Sequence, residues 1–149
     1  MATDSAPTVT SARPIARHLP TAARLLLGLL FFASGVAGLV MTPPTLTSPP
    51  MPEGLVALMN GFMKSGYLFQ LLKTTETAVG LALLANRFVP LALTVLAPVT
   101  VNIVAVHLLL EHSGLPVAAV VLALHGYLAW SYREHYRPLL VAKASPSRG

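Results

Sequence analysis

Four long apolar runs alternate along the chain with short segments that are polar or rich in proline. The runs cover residues 21–41, 67–85, 88–111 and 117–132. A helix rises ~1.5 Å per residue, so runs of this length are typical of helices that cross a hydrocarbon core of ~30 Å. The pattern predicts a membrane domain over residues 21–136. Residues 1–20 are predicted to form a mobile cytoplasmic tail, and residues 137–149 a basic one.

The connection between the first two spans has two parts with different character. Residues 42–52 are dense in proline and cannot be helical. Residues 53–65 place Leu55, Leu58, Met59 and Phe62 on one face, which is the spacing of an amphipathic helix. This helix is too short to span, so it is predicted to lie on the membrane surface or to cover the end of the bundle.

The later connections are short, which makes spans two, three and four antiparallel neighbours. The predicted fold is therefore all-α, a bundle of four transmembrane helices with a short amphipathic surface helix between spans one and two. A cleaved signal peptide is the rival interpretation of the first run. That run, however, exceeds the usual ~7–15 apolar residues of a signal peptide.

Composition agrees with a membrane protein, since 54% of residues are hydrophobic and only 10% are charged, against about 25% charged in soluble domains. The chain has no cysteine, which excludes disulfides, thiol redox catalysis and iron–sulfur clusters held by cysteine. We find no nucleic-acid motif despite the net charge of +5. The expected partners are the lipid bilayer and either other membrane subunits or further copies of this chain.

Basic residues indicate how the bundle is oriented. Only Lys64 lies between spans one and two, and no basic residue lies between spans three and four. The opposite side carries Arg13, Arg17, Arg24, Arg87, Arg133, Arg137, Lys143 and Arg148. The positive-inside rule predicts that this side, with both termini, is cytoplasmic.

Five polar residues inside the spans are the candidates for function: Lys73, Glu76, Asn102, His107 and His125. Polar groups at membrane depth are costly and usually face a protein interior or a water-filled cavity. Counting from the middle of each span places Glu76, Asn102 and His125 in one layer, with Asn102 about 4 Å further out. Lys73 lies one turn further out, and His107 roughly 11 Å out.

Each candidate also has a structural interpretation. Lys73 and Glu76 are three residues apart, so they could form an ion pair that only fixes helix register. Asn102 could be a hydrogen-bonding link between helices, bonded to a carbonyl that Pro98 frees. His107 could be hydrated near the outer interface, and His125 could be packed and hydrogen-bonded. The sequence leaves these alternatives open.

The same residues are also candidate ligands of a cofactor. Bis-histidine haem needs two histidines at one depth, whereas His107 and His125 differ by ~12 Å, which argues against haem. No spacing typical of a metal site occurs, so no metal is expected. A quinone is compatible with the polar pocket.

Several short motifs resemble the DoxX family of small bacterial membrane proteins. They are Arg24 with LGLLFFASG (residues 27–35), the connection ending in SGY (residues 65–67), Glu76 with Gly80, Arg87 with Pro90, and Pro98 with Asn102 and His107. The resemblance covers roughly residues 24–136. Family members carry a lysine soon after the SG of span one, where this chain has Ala37 and Gly38, and Lys73 is the candidate replacement.

The resemblance implies a four-helix bundle in the bacterial inner membrane that is associated with membrane redox systems. A related family, DoxD, is similar to a thiosulfate:quinone oxidoreductase subunit. The leading hypothesis is therefore a non-catalytic or quinone-associated oxidoreductase subunit with a polar intramembrane pocket. Two others remain: a small transporter or proton-relay protein that uses the same residues, and a structural subunit that docks into a larger complex. Whether the chain catalyses a reaction is left open.

Overall fold

The computed structural model describes the backbone of residues 13–40 and 51–143 and the side chains of residues 18–40 and 51–143. Every regular element in this part of the chain is helical, so the predicted all-α class is confirmed there. The helices are α1 (Arg13–Val40), α2 (Glu53–Lys64), α3 (Leu68–Leu84), α4 (Val89–Leu109), α5 (Leu115–Ser131) and α6 (Arg133–Tyr136), followed by the 3₁₀ turn Arg137–Leu140.

The four longest helices pack in the ring order α1, α3, α4, α5 and back to α1. Residue pairs in contact show that neighbours run antiparallel. Arg24 meets Leu83 at one end of the α1–α3 pair, and Ser34 meets Glu76 further along. In the α4–α5 pair, Thr100 meets His125. The result is an up-down-up-down bundle around one shared core.

Within the described residues, two helices are long and apolar enough to cross a membrane, namely α4 and the part of α1 from His18 to Val40. Helix α5 and the following segment Arg133–Leu140 meet at an angle of 73° and would make a third span if they are taken together. Helix α3 has 17 residues, about 26 Å of rise, which is short of the ~30 Å core. The four predicted spans are thus matched by two to three helices of membrane-crossing length.

Most predicted boundaries lie within one or two residues of the observed ones, but α1 differs. It begins at Arg13, inside the region predicted to be a tail, and Pro20 lies within the helix. Alanine, leucine and arginine favour helix intrinsically, and they are frequent just before the first apolar run. The other predictions about the tails fall on residues 1–12 and 144–149, outside the described residues.

Helices α1 and α3 approach so closely that several positions have no room for a side chain. A Cβ added to Gly80 would overlap the backbone of Phe32, and one added to Gly35 would overlap Thr77. A Cβ at Gly28 would lie 3.1 Å from the Cβ of Leu83. Small residues on facing helices permit this kind of approach, and it determines where the polar side chains nearby can reach.

The turn between α3 and α4 is held by backbone and side-chain hydrogen bonds. Arg87 N donates to Ala82 O at 2.9 Å and Asn86 N to Leu83 O at 3.2 Å, the pattern of a helix C-terminus closed by a left-handed residue. Asn86 has φ 55°, a conformation that asparagine tolerates. Arg24, which is buried, adds hydrogen bonds to the carbonyls of Leu83 and Leu84.

Helix α2 packs on the end of the bundle at which α3 begins and α4 ends. It contacts α3, and a Cβ on Gly54 would lie 2.8 Å from Leu110 Cδ2 at the end of α4. The predicted apolar face, which consists of Leu55, Leu58, Met59 and Phe62, is half-buried. This arrangement fits the predicted cover over the bundle end.

Candidate functional site

The buried carboxylate of Glu76 lies at the centre of a small polar cluster between α1 and α3. Lys73 Nζ lies 2.8 Å from Glu76 Oε2, and Ser34 Oγ donates to the same oxygen at 2.9 Å. Lys73 Nζ also donates to Ser34 Oγ at 3.2 Å. The Glu76 side chain is 5% exposed and that of Lys73 is 16% exposed. The predicted contact between Lys73 and Glu76 is therefore present, and Ser34 joins it.

Glycines on α1 make room for this cluster. The hydrocarbon stem of Lys73 crosses α1 at Gly38, where an added Cβ would lie 2.8 Å from Lys73 Cγ and 2.9 Å from Cε. The amine thereby reaches Ser34, which lies one helical turn before Gly38 on α1. Thr77 donates to the Lys73 carbonyl at 2.8 Å and rests against Gly35. The lysine of this site therefore comes from α3 and passes over a glycine of α1.

Glu76 and Ser34 line a pocket of about 200 Å³ to which all four long helices contribute. The lining residues are Leu30, Phe31, Ser34, Glu76, Ile103, Val117 and Val121. The residues of this lining that are exposed, Leu30, Ser34 and Val117, belong to α1 and α5. The pocket therefore opens sideways between α1 and α5, with the Glu76 carboxylate and the Ser34 hydroxyl on its wall and apolar side chains elsewhere.

His125 belongs to a second, neutral polar contact in the bundle. It is buried, and its Nδ1 lies 2.7 Å from Thr100 Oγ1. On the other side His125 borders a groove of about 270 Å³ with Leu93, Thr94 and Tyr136 among its lining residues. In the described chain no hydrogen bond joins this pair to the Glu76 cluster.

His107 lies in the last turn of α4, next to the connection to α5. Its Nδ1 is 3.0 Å from Glu111 O and 3.1 Å from Glu111 Oε2, and since both are acceptors Nδ1 carries the proton. The Ser113 and Gly114 backbone amides donate to the same carboxylate at 2.7 and 3.2 Å. Hydrogen bonds from Ser113, then from Gly114 and His107, lower the pKa of Glu111 to about 2.

Asn102 faces outward from the bundle. It is exposed on α4, and its amide has no hydrogen bond within the part of the chain that the structure describes. The five candidate residues thus fall in four places: Lys73 with Glu76, His125 with Thr100, His107 at the end of α4, and Asn102 on the outward face of α4. Within the described residues, no network of hydrogen bonds joins all five.

A larger groove, of about 400 Å³, lies between α3 and α4 but has little chemistry. Its lining contains no charged residue, only apolar side chains and the hydroxyls of Thr74 and Thr75. The Thr75 hydroxyl is already bonded to Leu71 O at 2.8 Å. This groove suits a hydrocarbon chain, whereas the smaller pocket has groups that can recognise a polar molecule.

Sequence reasoning missed the roles of three residues. In the sequence, Ser34 is named only within the segment LGLLFFASG, Arg24 only beside that segment and as a cytoplasmic charge, and Thr100 not at all. A weak signal for Ser34 was its position directly before Gly35 and one helical turn before Gly38. The glycines leave little side-chain bulk on this face of α1. No such signal marks Arg24 or Thr100. The carbonyls at a helix end, or the ring of a buried histidine, can find a hydrogen-bond partner at many positions of the chain.

Comparison of the chain with protein-family models, with curated proteins and with solved structures yields no match. In residues 18–40 and 51–143, no three histidine or acidic side chains come together as a metal site would require. The Glu76 cluster and its pocket are therefore the features of the molecule that bear on its function.

Proposed function

We propose that this chain is a DoxX-like membrane protein with four spans, whose pocket at Ser34 and Glu76, next to Lys73, binds the polar head of a membrane-soluble quinone. It would act as an accessory subunit of an oxidoreductase in the bacterial inner membrane. The observation that carries the proposal is the buried Glu76 carboxylate, paired with Lys73, on the wall of a pocket that opens sideways between two helices.

The chemistry of the cluster suits a quinone headgroup. The Ser34 hydroxyl donates to Glu76 Oε2 in this structure and can rotate to donate to a quinone carbonyl, while Lys73 keeps the carboxylate paired. The Glu76 carboxylate can accept a hydrogen bond from a quinol hydroxyl. Because a hydrogen-bond donor and an acceptor lie side by side, one site would be able to hold both the quinone and the quinol. A Lys–Glu pair also keeps the pocket near neutral, which favours an uncharged ligand.

Pocket size and position agree with a headgroup rather than a whole lipid. Typical ligand sites measure ~300–1,000 Å³, whereas this one measures about 200 Å³, enough for a single ring. The opening between α1 and α5 is lined by Leu30 and Val117, so an apolar tail can remain among the lipids. A molecule dissolved in the bilayer reaches such a site without crossing water.

The four-span arrangement is supported by the antiparallel ring of helices. If α1 and α4 cross the membrane, the helices packed against them along most of their length, α3 and α5, lie in the same layer. The short stretch missing from α3 is compensated by thinning of the bilayer or by polar side chains that reach the interface. Arg24, Arg87 and Arg133 lie at the end that we assign to the cytoplasm.

Reporter fusions test this topology. Reporters placed after Gly149 and in the loop 42–52 should report opposite sides of the membrane, with the C-terminus inside. Both reporters on the same side would contradict the four-span arrangement.

A transporter or proton relay has less support from the geometry. Such a function needs a continuous chain of hydrogen bonds through the bundle, and the described residues join the Glu76 cluster to neither His125 nor His107. Leu27 and Leu83, both fully buried, lie between the cluster and the cytoplasmic end. A structural ion pair remains the main alternative, and the experiment is designed to separate it from ligand binding.

The test is the quinone content of protein purified in mild detergent, followed by titration with a short-chain quinone. We expect the wild-type protein to retain quinone. Ser34→Ala removes one donor and should weaken binding by up to roughly tenfold, because one hydrogen bond contributes ~0.5–1.5 kcal/mol. The matched control is Thr75→Val, which removes a hydroxyl that does not line this pocket and is bonded to Leu71 O of its own helix.

The double variant Lys73→Met with Glu76→Gln separates structure from function. It removes both charges and should remain folded, since no charge is left unpaired. Loss of quinone binding in the folded double variant is the expected result. Binding equal to the wild type in this variant would contradict the proposal and leave the pair with a structural role.

A further inference from the structure

The outward face of α4 carries an amide that lacks a partner in the described chain. Asn102 lies about 4.5 Å from the middle of α4, counted along the helix axis, and it is exposed. Hydrocarbon offers no hydrogen bonds, so a polar group at this depth strongly favours a protein partner. The amide has two donors and one acceptor to satisfy.

Three hydroxyls on the outward surface of the helices are satisfied by their own backbone. The hydroxyls of Thr75, Thr94 and Ser131 donate to the carbonyls four residues earlier, at 2.8, 2.9 and 2.8 Å. These hydroxyls require no hydrogen-bond partner outside their helices. Asn102 makes no such bond, which distinguishes it from these three side chains.

Asn102 also lies in a stripe whose spacing is that of a helix-pairing surface. Residues on this stripe alternate at steps of four and three and are exposed or half-buried: Leu91, Val95, Pro98, Asn102, Ala105 and Leu109. Leu91 is 61% exposed and Leu109 is 76% exposed. This is the repeat of two helices that supercoil around each other, and one asparagine in such a seam fixes register and the number of strands.

We propose that α4 pairs with α4 of a second copy of this chain, with the two Asn102 amides hydrogen-bonded to each other. Copies inserted with the same orientation bring their α4 helices together in parallel around a two-fold axis along the membrane normal. Each Asn102 then faces Asn102 of the second copy at the same depth. An amide is its own complement, because its N–H group donates to the oxygen of an identical group.

A second copy fits the seam better than a different subunit does. A different subunit would have to present a matching polar group at the same depth, whereas a second copy does so by symmetry. The proposal requires that α4 cross the membrane and does not depend on what the pocket binds.

The chain contains no cysteine, so single cysteines report helix proximity without background. Val95→Cys and Leu109→Cys place thiols on the seam and leave Asn102 intact. The control is Leu29→Cys, 56% exposed, on α1 diagonally across the bundle. Oxidation in liposomes should link most of the seam variants into covalent dimers and leave the control monomeric. Equal linking at the seam and control positions, or none at the seam, would overturn the proposal.

The second measurement replaces the amide itself. Asn102→Val should lower the association constant of the dimer roughly tenfold. The dimer fraction, measured by single-molecule photobleaching in liposomes, reports this change. Thr94→Val on the same helix should leave it unchanged, because that hydroxyl is bonded to Pro90 O. A dimer fraction that is the same with and without the Asn102 amide, or a wild-type protein that is monomeric, contradicts the proposal.

Discussion

Helices α1 and α3 approach each other through glycines, whereas helices α4 and α5 pack through larger apolar side chains. Gly28, Gly35 and Gly80 bring the first pair into backbone contact. Leu93 and Leu96 of α4 and Val121 and Leu128 of α5 belong to the shared core and are almost fully buried. The two interfaces therefore differ in how much space they leave for polar groups.

The polar content of the two interfaces follows from this difference. Across the glycine contact, Lys73 and Ser34 reach Glu76 and form a charged cluster. Across the bulkier contact there is one neutral hydrogen bond, between Thr100 and His125. Charged chemistry is thus concentrated in the α1–α3 pair, and the variants below test whether stability and function follow the same division.

Removal of one charge from the α1–α3 cluster should have the largest effect. Glu76→Gln leaves the Lys73 ammonium without a counter-ion, which typically costs ~3–5 kcal/mol for a buried pair. Adding Lys73→Met should restore part of the loss. The measurement is the free energy of unfolding in mixed micelles, compared in a double-mutant cycle. Effects of the two single substitutions that simply add would show that the pair is not coupled.

Filling the glycine contact should have the next largest effect. Gly80→Ala places a methyl group against the backbone of Phe32 and should destabilise the bundle by ~1–3 kcal/mol, the usual cost of overpacking. Gly126→Ala is the matched control, since a Cβ there would meet nothing within 4 Å. Thermal unfolding should separate the two variants clearly. Equal unfolding temperatures would show that α1 and α3 are not packed this closely.

The neutral contact in the α4–α5 pair should contribute less. Thr100→Val keeps the shape of the side chain and removes the hydrogen bond to His125, at a cost of about 1 kcal/mol. Quinone binding should be unchanged, because neither residue lines the pocket at Glu76. If Thr100→Val abolishes binding while the fold survives, the functional site extends into the second helix pair.

The smallest expected effect is on the turn that connects α4 to α5, and it depends on pH. The pKa of Glu111 is lowered from 4.5 to about 2, so its carboxylate stabilises the folded turn above pH 4.5. That contribution is lost as the pH falls from 4.5 towards 2. Glu111→Gln should remove this pH dependence, as measured by the accessibility of a label at His112. Glu134→Gln, at an exposed position on α6, should retain it.

The sequence predicted the helices well because their signals are local. Apolar runs and short polar turns specify α3, α4 and α5 to within about two residues. The start of α1 was missed because Pro20 and the polar residues before it resemble a tail. Whether the four predicted helices all cross a membrane depends on α3 and α5, whose lengths lie near the limit.

The site was only partly predictable, because the relevant information is not local. Lys73 and Glu76 are three residues apart on one helix, so their contact follows from helix geometry. The remaining candidates depend on how each helix is rotated about its axis. Asn102 points outward and His107 bonds to its own turn, and neither rotation can be read from hydrophobicity when all faces of α4 are apolar.

Photolabelling with a quinone that carries a reactive group on its ring tests the central claim most directly. The account predicts labels on the pocket lining between α1 and α5, at residues such as Leu30, Val117 and Val121, with loss of label in the Lys73→Met, Glu76→Gln double variant. Labels concentrated in the larger groove between α3 and α4, near Phe88 and Leu91, would contradict it. So would labelling at the pocket that the double variant leaves unchanged.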